Sequence, residues 1–117
     1  MTNNRTTTAA DNVAKPDRNE VILRGRLATA PEHRTFGSGA SLARLLVTVR
    51  LAAPSRTDVI PVTVWEPDPD LVKAIRGVPV EIAGQVHRRF WTDAEGRHSR
   101  VEVVAASVEI EKVPSED

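Results

Sequence analysis

Between Pro79 and Ile110 two runs of alternating apolar and polar residues flank a short turn-forming stretch, and no other part of the chain limits the fold so tightly. The first run is Pro79-Val-Glu-Ile-Ala-Gly-Gln-Val-His-Arg-Arg-Phe-Trp91 and the second is His98-Ser-Arg-Val-Glu-Val-Val-Ala-Ala-Ser-Val-Glu-Ile110, joined by Thr92-Asp-Ala-Glu-Gly-Arg97. A period of two on both sides of Asp, Glu and Gly predicts a long antiparallel hairpin with its tip near Ala94 to Gly96. Val80, Ile82, Gly84 and Val86 take the core face, and Ala83, Gln85, His87, Arg89 and Trp91 take the other. Phe90 has core parity and reads as packing. In the second run the apolar parity shifts at Val103-Val104, which predicts a bulge there.

Three further runs read as strands or their breaks. In Glu20–Leu27, Val21, Leu23, Gly25 and Leu27 share one face, against Ile22, Arg24 and Arg26; a mid-strand Gly25 marks a bend or a close backbone approach. Leu42–Leu51 alternates again, with Ala43, Leu45, Val47, Val49 and Leu51 on one side and Arg44, Leu46, Thr48 and Arg50 on the other. After a turn over Ala52–Asp58, the run Val59–Trp65 puts Ile60, Val62 and Val64 in the core and leaves Trp65 outward; Pro61, with no N–H, points to an edge or a bulge. Ala30–Gly39 reads as a loop with one aromatic, Phe36. One helix signal follows, from Glu66 to Gly77: Asp68 as cap, Pro69 at the first position, Asp70 near the positive end of the dipole, Gly77 as stop, and Leu71, Ile75 and Val72 to dock.

The order strand, strand, strand, short helix, strand, strand predicts an all-β fold, a five-stranded Greek-key barrel of the oligonucleotide-binding type with its helix between strands 3 and 4. A small sandwich is the competitor. A chain of 117 residues with 40% hydrophobic content supports one such domain, expected over residues 19–111. Met1 to Arg18 is polar and aperiodic and reads as a disordered arm, and residues 112–117 as a short tail. With no cysteine and no apolar run of membrane-spanning length, a soluble cytoplasmic protein is expected.

Function has to be read from local chemistry, because a formal net charge of +0 removes the usual global mark of a nucleic-acid binder. Aromatics make up 3% of the chain, yet Trp91 stands at the end of a hairpin crowded by Arg88, Arg89, Arg97 and Arg100. An outward Trp among arginines is costly to solvate unless a flat partner covers it, and a nucleobase is such a partner. Trp91, Trp65 and Phe36 are therefore the candidate stacking residues, and Arg24, Arg26, Arg44, Arg50, Arg56, Arg88, Arg89, Arg97 and Arg100 the candidate phosphate contacts. The alternative for each is ordinary: a core lid for Trp65, a barrel plug for Phe36, solvated surface for the arginines. Catalysis is not expected, since no nucleophile elbow or catalytic carboxylate pair is present. His33, His87 and His98 lack the third ligand and nearby carboxylate pair that a metal site needs, so they read as exposed or DNA-facing histidines, and neither metal nor cofactor is expected.

The segments Asn19-Glu-Val-Ile-Leu-Arg-Gly-Arg-Leu27, Pro31-Glu-His-Arg34, Val62-Thr-Val-Trp65, Val80-Glu-Ile-Ala-Gly-Gln-Val86 and Arg88-Arg-Phe-Trp-Thr-Asp93 resemble the bacterial single-stranded DNA-binding protein family over roughly residues 19–111. The resemblance implies an oligonucleotide-binding barrel, usually a homotetramer, that coats single-stranded DNA without sequence preference in replication, recombination or repair. It implies a nucleoid-associated location, with Trp91 as the stacking Trp of the hairpin and Trp65 as the aromatic ending the third strand. Two departures stand out. Where family members carry further Trp residues around the loop between strands 2 and 3, this chain has Ala52, Ala53 and Val59, and no acidic tail with a hydrophobic tip is expected after Glu111. The net charge of +0 and the missing aromatics favour an alternative from another class: a barrel that serves protein assembly, as a primosome-like or paralogue-assembly subunit, and binds DNA weakly.

Overall fold

The computed structural model describes residues 14–111. Its elements, in chain order, are β1 (Val21–Leu27), β2 (Glu32–Thr35), β3 (Ser41–Ala52), β4 (Ser55–Trp65), α1 (Pro69–Val72), β5 (Pro79–Asp93) and β6 (Gly96–Ile110). Most of the expected arm and all of the expected tail lie outside the described residues.

Five long strands close into a barrel in the order β1-β5-β6-β4-β3, with β3 returning to β1 and the short β2 added along β3. Closure depends on β1, which pairs with β5 from Val21 to Arg26 and switches to β3 at Arg26 and Leu27. The switch requires two backbones to approach closely at Gly25, where a Cβ would collide with the Thr48 carbonyl oxygen. The bend or close approach read from Gly25 is thus a close approach. The other seam is the parallel contact of β4 with β6, confined to Val62 with Val103 and Thr63 with Val104. Leu27, Leu45, Val47, Val62, Val80, Ile82 and Val103 fill the interior, and Leu71 closes one end. Leu27, Leu45, Val47, Val62, Val80 and Ile82 have the parity that alternation predicts.

Several local expectations need correction. Glu32–Thr35 lies in the segment read as a loop, yet pairs with Ser41–Arg44 of β3 as an edge strand. All four of its residues are exposed, so it has no apolar pattern to read. The turn expected over Ala52–Asp58 shrinks to Ala53-Pro54, with Ala52 already paired to Ser55; the Ala53–Pro54 bond is cis. Pro61 is on neither an outer edge nor a bulge: β4 lies between β3 and β6, and the proline is tolerated because β6 meets β4 only at Val62 and Thr63. The bulge falls at Ala106 rather than Val103-Val104, since Gly84 pairs with Ala105 and Ala83 with Ser107. The helix has four residues, Asp68 makes no side-chain cap, and Ile75, expected to dock, is 68% exposed.

The hairpin β5–β6 outruns the barrel. β1 leaves β5 at Val21–Gly84, while β5 and β6 stay paired out to Asp93 and Gly96. Beyond that point inward parity no longer means burial. Phe90, read as packing, is 61% exposed, and Val86 and Val101 share that exposed face.

Candidate functional site

Residues opposite one another in paired strands point to the same side of the sheet. The registers therefore bring Arg44 with Thr63, Leu46 with Pro61, Arg89 with Arg100 and Trp91 with His98 onto the outer wall of β3, β4, β6 and β5. Glu32 joins from β2 opposite Arg44, and Glu102 lies beside Thr63, whose hydroxyl donates to Glu102 Oε1 at 3.2 Å. All of these except Trp91 and His98 line an open groove of about 340 Å³. Arg44, Arg89 and Arg100 make it basic, and Glu32 and Glu102 place two carboxylates among them.

Aromatic pairs stand at the two ends of this wall. At the hairpin end Trp91 is 37% exposed, its ring stacked on His98 at 5.3 Å and 20°, with the Arg89 guanidinium 5.1 Å from its centroid. At the other end Trp65, 51% exposed, ends β4, and the Phe36 ring lies 6.0 Å from it, tilted by 30°. Phe36 is positioned by a tight turn: its N–H donates to the Ala40 carbonyl, and the Gly39 N–H returns to its own carbonyl.

The nine arginines expected to act together are divided by the fold. Arg44, Arg50, Arg89 and Arg100 share the outer wall by register. Arg88 and Arg97 have the opposite parity and share the reverse face of the hairpin with Phe90, where Arg88 Nη1 donates to Ser99 Oγ at 2.9 Å. Arg24 belongs to the β1–β5 wall, 3.0 Å from Glu81 in a groove also lined by Glu109 and Glu111. Arg26 donates to the Gly77 carbonyl. Arg56 is paired with Asp58 at 2.8 Å, and that hydrogen bond, with the carboxylate charge behind it, raises the arginine pKa above its ordinary value.

Sequence reasoning missed Glu32 and Glu102 as members of this wall and had His98 only as one of three exposed or DNA-facing histidines. Glu102 has the same outward parity as Arg100, so its place was readable; Glu32 was hidden in the segment taken for a loop. The hairpin turn also supplies the carboxylate pair that linear spacing hides, since ligand atoms of Asp93, Glu95 and His98 lie within 4.8 Å of one another. The turn's own bonds account for that cluster: Asp93 Oδ1 accepts from the Glu95 N–H and contacts His98 Nε2, each at 2.8 Å.

A closed barrel with an open basic wall, bounded by aromatics and lacking an enclosed cavity there, defines a class of small β-barrel binding domains for extended ligands. The chain belongs to the single-strand binding protein family, whose model matches residues 18–111. Membership in this non-catalytic family supports single-stranded DNA binding as the general activity. Comparison with curated proteins finds no match. Among the described residues, no helix is long and apolar enough to cross a membrane.

Proposed function

We propose that the chain binds single-stranded DNA without strong dependence on sequence, through an oligonucleotide-binding Greek-key barrel, in replication, recombination or repair in the cytoplasm and nucleoid. The observation that carries this reading is the placement of Arg44, Arg89 and Arg100 on one wall between the Phe36–Trp65 and Trp91–His98 pairs. Arginines in a row follow a phosphate backbone, and aromatics at both ends accept bases of any identity, because every base has a π-face. Arg50 extends the same face of β3 and Arg26 meets it opposite Thr48, whereas Arg24, Arg56, Arg88 and Arg97 lie off it. Homotetramer formation is part of the proposal by family membership.

The test is a titration with oligo-dT and with duplex of equal length at low and moderate salt, read by gel shift and by intrinsic fluorescence. The single strand should bind in preference to the duplex and quench Trp91 and Trp65, and equal retention of both with unchanged emission overturns the reading. A second reading, an assembly barrel with weak DNA binding, is favoured by one feature: the unpartnered apolar face of Val86, Phe90 and Val101 on the reverse of the hairpin.

A further inference from the structure

The groove holds its charges in an unusual state. Three arginines, Arg44, Arg89 and Arg100, and two glutamates, Glu32 and Glu102, line one space. Among the described residues no ion pair within 4.0 Å joins any of these arginines to either glutamate. Arg89 adds an independent sign of incompleteness, because its Nε is buried and has no hydrogen-bond partner. A buried donor without an acceptor is rare in native proteins, and a bound acceptor is one way to complete it. Leu46, Pro61 and Thr63 line the groove beside the charged side chains, so part of its lining is apolar.

We infer that this groove is a single-nucleotide subsite that prefers a base carrying an exocyclic amino group, cytosine, adenine or guanine, to thymine, with Glu32 and Glu102 as the selecting residues. The inference rests on the single-stranded DNA reading above and adds base preference at one position of the strand. A carboxylate accepts from the cytosine N4 or adenine N6 amino group or from the adjacent N–H groups of guanine, while a guanidinium donates to the neighbouring ring nitrogen or carbonyl. Thymine offers one ring N–H flanked by two carbonyl oxygens, and those oxygens repel a carboxylate that approaches it. Since arginines outnumber glutamates, the groove still has positive charge for the phosphate of the same nucleotide. Glu102 remains free to select, because the Thr63 hydroxyl occupies Oε1 and leaves Oε2 open.

The test measures the affinity of labelled oligo-dC and oligo-dT of equal length for the wild type and for Glu32→Gln/Glu102→Gln, by anisotropy at one salt concentration. Replacing carboxylates by amides raises the affinity for any strand by removing negative charge, so the ratio of the two affinities is the readout. The dC-to-dT ratio should fall by about tenfold in the double variant, the loss expected for one good amino-to-carboxylate pairing. An oligo-dT carrying scattered guanines should behave as oligo-dC does. If the double variant does not fold, Glu32→Gln alone, on the exposed edge strand, should lower the ratio in the same direction. A ratio that is the same in wild type and variants overturns the subsite and leaves the DNA-binding reading standing. Failure of the wild type to bind either oligonucleotide overturns both.

Discussion

Trp91 makes contacts that set what it can contribute. The indole already has His98 stacked on it and the Arg89 guanidinium over it, so an incoming base competes with both for the ring. Base–aromatic stacking removed by alanine costs about 1–3 kcal/mol, and the competition places Trp91→Ala toward the lower end, about 1 kcal/mol of oligo-dT affinity. Its removal should leave the melting temperature nearly unchanged, because the residue stands on the outer face of a hairpin arm beyond the barrel. Unchanged affinity in anisotropy titrations, or unfolding seen by circular dichroism, would each reject this account. At this scale the sequence was informative about direction and weak about company. Parity alone put Trp91 and Arg89 outward, and the same parity misjudged Phe90, because alternation reports the side of a strand and not whether a core lies beneath it. The phosphate candidates scattered for a related reason: Arg88 and Arg89 are neighbours in the chain and face opposite sides of the sheet.

Elements were legible in proportion to how much of their own apolar surface they bury. The long strands and the hairpin tip could be read because burial on one face writes a period of two into the residues. β2 could not, since Glu32–Thr35 is exposed throughout and is a strand only by pairing with β3. The helix stops early because Leu71 alone is buried from it, and one anchored residue does not sustain further turns. The bulge was displaced by two residues because Val103, Val104 and Ala105 are all apolar, so composition leaves the slip unmarked. Beside it the backbones approach closely at Gly84, where a Cβ would collide with the Val104 carbonyl oxygen and crowd the Ala105 backbone. Gly84→Ala should therefore destabilise the barrel by about 1–3 kcal/mol, as overpacking against backbone does. For a domain of this size that is a fall in Tm of roughly 5–20 °C. A thermal melt within a degree of wild type would show that the β5–β6 register slides to accommodate the methyl group.

For the whole molecule, a net charge of +0 conceals an uneven distribution. One wall carries Arg44, Arg50, Arg89 and Arg100, while the groove beside β1 gathers Glu81, Glu109 and Glu111 around Arg24. A strand following the arginine wall should release few counterions compared with a uniformly basic binder, so affinity should fall only gently with salt. Within that modest dependence the arginines separate by position. Replacing Arg89 or Arg100 with Gln should reduce the slope of log affinity against log salt by about 0.7 each, the value for one lost phosphate contact on a single strand. Replacing Arg88 with Gln should leave the slope unchanged, because Arg88 lies on the reverse face and donates to Ser99. Arg24, ion-paired with Glu81 on the other wall, should behave like Arg88. Titrations of oligo-dT across a salt series for these four variants decide the matter. If Arg88→Gln flattens the slope as much as Arg89→Gln does, the strand wraps both faces of the hairpin, and the path along a single wall is wrong.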